Sequence, residues 1–344
     1  VQLMMLTGNQ PGGKRTKSRK NENLEKPQKE ISMKTMKAVR IHTYGGPEVL
    51  KYEEAPRPKP GPGELLIQVY AAGINPVDWK IRGGYLKQRL NYSLPLILGW
   101  DLSGVVEATG LGIVRLKAGD EVYSRPDIAR DGAYAEYIAV RETEIALKPK
   151  SIDHIHAAAI PLAALTAWQS LFDAAGLSAG QTVLIHAAAG GVGSFAVQLA
   201  KWKGAHVIGT ASKRNQDVVR NLGADETIDY QTTRFEDVVH DADVVFDTIG
   251  GDTQKRSWKA LKKGGILVSI VGSPSAEEAA AHGVRQASVF VQPIAAQLTE
   301  LANLVDSGKL RSIVETVLPL SEARRAHELS RTGHTRGKIV LRVS

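Results

Sequence analysis

The stretch HAAAGGVGSFAVQLAK, His186 to Lys201, sets three glycines within four positions and then runs into an apolar helical pattern. It follows the apolar run TVLIHAA. Gly190, Gly191 and Gly193 open a helix whose core face is Val192, Phe195, Ala196, Leu199 and Ala200. A strand, a glycine-rich turn and a helix N-terminus in that order let backbone N–H groups approach a pyrophosphate, with partial positive charge supplied by the helix end. The pattern reads Ala188-x-Gly190-x-x-Gly193, with alanine in the first glycine position, so taken alone it also fits a structural turn. The surrounding chain decides between the two.

Working outward, strand and helix signals alternate: TVLIHAA, HVIGTA, ETIDY, DVVFDTIG, GGILVSIVG and SVFVQP are apolar runs with helical stretches between most of them. That alternation predicts a doubly wound parallel sheet. Just upstream, DHIHAAAIPLAALTAWQSLFDAAGL has a helical period and stops at Gly176. His154 and His156 within it fall on different sides of a helix and read as surface or capping residues. Between Met36 and this helix, short runs such as KAVRIHTYG, ELLIQVYAAGI, DLSGVVEATG and GAYAEYIAV alternate with Gly and Pro. They predict an irregular antiparallel barrel, with the proline-rich Tyr52–Glu64 as a loop. After Glu300 come further helices and two more strand-like runs. The order fits a Rossmann-like domain, 153–292, inserted into a barrel domain made of 36–152 and 293–344.

A chain of 344 residues is long enough for two domains. No run of about 18 apolar residues predicts a membrane span. Of the formal charge of +8, residues 1–36 carry +5, eight Lys or Arg against three Glu, leaving +3 for the rest. The segment 1–35 is too polar and too rich in Pro and Gly to repay its ordering entropy, and is expected to be a disordered basic leader. Its readings are a targeting signal, a nucleic-acid arm, or a solvated tail or upstream start-site extension ahead of Met33 or Met36. The apolar LMML precedes the charge, which is the wrong order for a secretory signal. The chain has no cysteine, which excludes disulfides, a thiol nucleophile and cysteine-ligated metal. This composition is compatible with the expected cytoplasmic location.

About 20 residues past the turn, an NAD site would place an acid for the ribose 2′-hydroxyl. Here the chain reads GTASKRNQD, with Ser212, Lys213 and Arg214 and no acid before Asp217. Cations and a hydroxyl suit a 2′-phosphate, so NADPH is the expected cofactor.

With these features together, the chain from Met36 onward resembles the medium-chain dehydrogenase/reductase superfamily, in its zinc-free quinone oxidoreductase (ζ-crystallin-like) branch. Gly180, Gln181, Leu184, Ala188, Ala189, Gly190, Gly191, Gly193, Gln198 and Lys201 match that branch's signature. AAGINPVDWKIRGG, GDEVY, GAYAEY, IPLAALTAW and RGKIVLRV support it. The resemblance implies a GroES-like barrel plus a Rossmann domain. Where zinc alcohol dehydrogenases carry a ligating Cys and a Gly-His-Glu, this chain has Asn75 and Gly99-Trp100-Asp101. No zinc is therefore expected, and alcohol oxidation loses its Lewis acid.

The resemblance also implies roles. Asn75 would lie near the nicotinamide and donate to the acceptor oxygen, and Thr166 would contact the carboxamide. Gly190, Gly191, Val192 and Gly193 would meet the pyrophosphate, and Lys338 would reach the cofactor. Ser212, Lys213 and Arg214 would hold the 2′-phosphate. Thr248 and Gly250, and Val271 and Gly272 after the next strand, stand at strand C-termini, where ligands gather in such sheets. Tyr85 would border the substrate pocket or supply a proton, with solvent an equal alternative.

The expected activity is hydride transfer from NADPH to a quinone or to the activated C=C of an α,β-unsaturated carbonyl. The alternatives are an enoyl-thioester reductase and a non-catalytic NADPH- or RNA-binding factor, the latter little supported by a charge of +3. A homodimer is expected, with GGILVSIVG and SVFVQP as candidate strands for extending the sheet across subunits.

Overall fold

The structure is a computed structural model that describes residues 34–344. All but the last two residues of the expected leader lie outside it, and Thr35 already begins a strand. That strand, Thr35–Ile41, pairs antiparallel along its whole length with Leu50–Pro56 and briefly with Leu96–Ile97. Tyr52 to Pro56, expected as part of a loop, is thus strand, and the proline-rich loop begins at Arg57. Edge position explains the tolerance: Pro56 ends the strand, where no ladder N–H is needed.

The long strand Glu64–Gly73 organises the rest of the barrel. One edge pairs with Leu102–Thr109. The other is shared: Glu64–Gln68 pairs with Tyr137–Arg141, and Ala71–Gly73 pairs with the C-terminal strand Lys338–Arg342. Gly104 lies against this strand where the register slips, and a Cβ there would sit 2.0 Å from the Gln68 carbonyl oxygen. The C-terminal strand also pairs in parallel with Val314–Pro319, so the end of the chain closes the barrel begun by its first half.

The second sheet is six-stranded and parallel throughout. Its spatial order is Glu226–Asp229, His206–Ala211, Thr182–Ile185, Ala242–Asp247, Leu261–Ser269 and Arg285–Ser288. This is the Rossmann arrangement, whose order reverses between Thr182–Ile185 and Ala242–Asp247. Alternate residues serve opposite faces: Val183, Ile185 and Phe246 join the main core, while Leu184, Val245 and Leu267 pack on the other face with Phe235 and Trp258.

Four local expectations need correction. The helix expected over 153–176 is three pieces, His154–Ala158, Pro161–Trp168 and a π-helical turn Gln169–Ala174. Pro161 lacks the N–H to continue the first piece and starts the second. His154 is not a surface residue: it stacks on Tyr70 and shares a hydrogen bond with Ser103. The run SVFVQP is not a strand beyond Ser288. Its Gln292 amide donates to the Gln169 side chain at 2.9 Å, and the Gln169 amide returns a bond to the Gln292 carbonyl, so side chain rather than sheet captures that backbone. The strand precedes it, at Arg285–Ser288, and is the open edge. GGILVSIVG lies inside the sheet and has no free edge to offer another subunit.

Phe246 is fully buried in a central strand, paired on both edges with neighbouring strands. Phe246→Ala is expected to destabilise the chain by about 3–5 kcal/mol, read as a lowered urea midpoint at unchanged slope.

Candidate active site

The strand Thr182–Ile185 ends where its neighbour order reverses, and the chain turns through Ala187, which takes a left-handed φ of 47°. This brings the Ala187 carbonyl under the following helix: a Cβ on Gly193 would lie 2.2 Å from that oxygen. Gly190 is the extended N-cap of the twelve-residue helix Gly191–Trp202. A Cβ on Gly191 would press on the Lys338 stem at 3.2 Å and on the Gly337 carbonyl at 3.3 Å. The turn is therefore a backbone surface without side chains at the N-terminus of a long helix, which fits a pyrophosphate. Gly209, on the next strand, lies outside the glycine motif yet belongs to the same cradle. A Cβ there would come within 2.9 Å of Ala188 Cβ.

Facing the turn is a buried polar cluster assembled by the barrel. The pairing of Val340 with Gly73, and a bond from Ile74 N to the Ile339 carbonyl, set Lys338 beside Asn75. Asn75 caps the helix Pro76–Arg82. Its Nδ2 donates to Asp101 Oδ2 at 2.8 Å, and its Oδ1 accepts from Lys338 Nζ at 2.5 Å. Lys338 Nζ also donates to Asp101 Oδ2 at 3.1 Å, and Asp101 Oδ1 accepts from Leu162 N at 2.6 Å. Burial pushes the Asp101 carboxyl up, and the Lys338 ammonium opposes that most. Of the two protons on Asn75 Nδ2, one is committed to Asp101 and the other has no partner among the described residues. Trp100 is fully buried, stacked on Tyr92, with its indole N–H given to the Arg130 carbonyl. Asn75 and Trp100 thus offer no metal-ligand pair, and the cation at this place is an ammonium.

Behind Asn75 runs a second buried chain of polar groups. Asp78 Oδ2 accepts from Asn75 N and from the Tyr134 hydroxyl, each at 2.7 Å. His327 links Tyr134 to Arg82, at 3.3 and 3.1 Å. Burial pushes Asp78 up to about 7, and burial, aided by Arg82, holds His327 down to about 3.

A cleft of about 540 Å³ lies between the glycine turn and this cluster. It brings together Asn75, Thr166, Gly190, Gly191, Val192, Gly193, Thr248, Val271, Gly272 and Lys338. Thr166 gives its hydroxyl proton to the Leu162 carbonyl at 2.6 Å, so it faces the cleft as an acceptor. Gly250 stands just off the lining, at φ 78°, with its N–H on Asp247 Oδ1. Asp247 is itself buried and also binds Ile249 N, Gln254 and Ser269, ordering both strand ends. Ser212, Lys213 and Arg214 sit at the end of the second strand and do not line the cleft. Arg214 reaches its rim by donating to the His334 carbonyl at 2.9 Å. Tyr85 is not in the cleft. It is 70% exposed and lies edge-on to Trp79, its ring over Gly83, where a Cβ would sit 2.5 Å from it. Asp101, marked in the sequence only as the acid standing where zinc enzymes carry Gly-His-Glu, and Asp247, a lone Asp with no spacing signature, organise the site.

Residues 61–150 match the family model described as an alcohol dehydrogenase GroES-like domain, and residues 222–341 one described as a zinc-binding dehydrogenase. A Mus musculus protein named NAD(P)H oxidoreductase RTN4IP1, mitochondrial, is 35% identical over 348 residues, covering 88% of each chain. An Arabidopsis thaliana protein named NADPH-dependent alkenal/one oxidoreductase, chloroplastic, is 38% identical over 319 residues, 90% of this chain and 80% of its own. Among solved structures, the quinone oxidoreductase from Coxiella burnetii superposes with a TM-score of 0.86 at 38% identity, over 90% of this chain and all of its own. No helix among the described residues is long and apolar enough to cross a membrane.

Gly193→Ala is expected to weaken dinucleotide binding at least tenfold, measured by fluorescence titration, because the turn must open to admit a methyl group. Asp78 supplies a pH test. Its folded value, about 7, lies above its ordinary 3.8, so its contribution to stability is greatest below about pH 4 and is lost as the pH rises to 7. Asp78→Asn, which still accepts both bonds, should therefore gain stability relative to the native chain across that interval, in paired urea titrations at pH 5 and 7.5.

Proposed function

The chain belongs to the medium-chain dehydrogenase/reductase superfamily, in its zinc-free quinone oxidoreductase branch, and from that membership we propose an NADPH-dependent reductase of quinones or of activated C=C bonds. The observation that carries this reading is the opposition, across one cleft, of a phosphate-binding turn and the Asn75–Asp101–Lys338 cluster.

In this reading the N–H groups of Gly190 to Gly193 hold the pyrophosphate, and Ser212, Lys213 and Arg214 hold the 2′-phosphate. Thr166, with its proton committed to Leu162, accepts from the carboxamide. Thr248, Gly250, Val271 and Gly272 form the strand-end wall behind it. When bound, the reduced nicotinamide supplies a hydride. An enone gains that hydride at its β-carbon, and the displaced π pair moves to the carbonyl oxygen. The free Nδ2 proton of Asn75, with the Lys338 ammonium behind it, stabilises the developing charge there. Solvent supplies the proton that completes reduction, because Tyr85 stands outside the cleft. A quinone would take the same hydride, with its electron pair, and one proton from solvent, giving the hydroquinone.

We take the barrel as 36–152 and 293–344 and the nucleotide-binding unit as 153–292. The exposed edge strand Arg285–Ser288 is the surface on which a homodimer would pair its sheets.

The test follows NADPH oxidation by absorbance with a quinone and an α,β-unsaturated ketone offered separately, and NADH as control. Turnover should favour NADPH, and Lys213→Ala should cut that preference about tenfold by removing a charged hydrogen bond. Asn75→Ala should lower kcat/KM about 100-fold or more. Tight NADPH binding with no turnover of either acceptor overturns the reading.

A further inference from the structure

Arg125 follows the barrel strand Glu121–Ser124 and lines the cleft, yet it is only 2% exposed. Its Nε has no hydrogen-bond partner, and it takes part in no ion pair among the described residues. Burial pushes its guanidinium down from the ordinary value, and the carboxylates that oppose this, Asp101, Asp127 and Glu144, are all engaged elsewhere. Asp101 serves Asn75, Lys338 and Leu162 N. Asp127 and Glu144 each bind Arg141 at 3.1 Å. A buried guanidinium without a counter-ion is strongly unfavourable, and an anion from outside the chain removes that cost.

Arg125 and the phosphate-binding turn belong to different sheets. Ser124 pairs with Leu102, so Arg125 stands level with Asp101, at the Asn75 end of the cleft and on the barrel side, whereas the glycine turn belongs to the parallel sheet. Lys80, Arg89, Arg125 and Lys338 line the cleft, and among the described residues no Asp or Glu does. Of these, Arg89 is exposed and lies over the Phe290 ring, and Lys338 is held by Asp101. Apolar Ile128 and Leu162 share the lining. One buried cation with a planar fork matches one monovalent, planar anion, which is a carboxylate.

We infer that Arg125 binds a carboxylate carried by the acceptor, so that the preferred substrate is an α,β-unsaturated carbonyl compound bearing a carboxylate, an oxo-alkenoate. This rests on the reductase reading and narrows its substrate class. Arg125 takes no part in electron or proton transfer; it orients the alkene by its charged end.

The test compares 4-oxopent-2-enoate with its methyl ester. With the native chain, kcat/KM for the acid should exceed that for the ester about 100-fold, the worth of a buried charged hydrogen-bond pair. In Arg125→Met the acid-to-ester ratio should fall to near one while the dissociation constant for NADPH stays unchanged. Without ligand this variant should unfold at a higher temperature than the native chain, since it loses an unpaired buried charge, whereas a merely structural arginine would lower it. Calorimetric binding of 4-oxopentanoate to the protein with NADP⁺ gives a readout independent of turnover. Arg125-dependent binding without turnover supports the anion site and counts against the reductase reading alone. Equal use of acid and ester by the native chain, or a loss of NADPH affinity in Arg125→Met, overturns the inference.

Discussion

The carboxylate of Asp101, fully buried and shared among Asn75, Lys338 and the Leu162 amide, is the junction on which the cleft depends. An ionised carboxylate in such a place is stable only if its charge and its lone pairs are satisfied. The three groups that satisfy it come from distant parts of the chain: a helix cap in the first half, the start of the helix that precedes the parallel sheet, and the last strand. Folding of both halves is thereby coupled at the point where a reacting oxygen would be stabilised. At the position where the resemblance aligns the zinc enzymes' Gly-His-Glu, Asp101 anchors the Lys338 ammonium beside the cleft.

The same last strand serves the opposite wall. Gly337 donates to the Ala189 carbonyl, and the Lys338 stem packs on Gly191, so the phosphate-binding turn and the polar cluster are braced by one segment. The glycines of the turn are required in different degrees. Gly193 has no room for a Cβ against Ala187, while Gly190 would meet the same carbonyl at 3.1 Å. Alanine in the first position of the pattern is accommodated because Gly209 on the adjacent strand leaves space for the Ala188 methyl group. The cradle is thus a property of two strands rather than of one motif.

Much of this architecture is legible in the order of residues alone. Alternating apolar runs and helical stretches announce the parallel sheet, because period and length are local properties. The glycine turn is readable for the same reason, and Asn75, Thr166 and Lys338 through family resemblance. The departures also have physical causes. Residues 153–176 carry a helical period throughout, but Pro161 and the π-turn divide them. SVFVQP has the composition of a strand, yet Gln169 takes its amide. Tyr85 beside two glycines has the look of a pocket residue, and only the fold shows its ring exposed against Trp79 and Gly83.

By itself the sequence determined the class of each segment, the order of barrel, parallel sheet and returning strand, and the backbone turn suited to a pyrophosphate. These follow from side-chain periodicity and from glycine's missing Cβ, which act over a few residues. Tertiary structure alone decided that Asn75, Asp101 and Lys338 meet, that Asp78 is joined through Tyr134 and His327 to Arg82, and that Arg125 is buried with its Nε unpartnered among the described residues. Charge and hydrogen-bond satisfaction depend on which groups lie within about 3 Å after strands far apart in sequence have paired, and no local pattern encodes that.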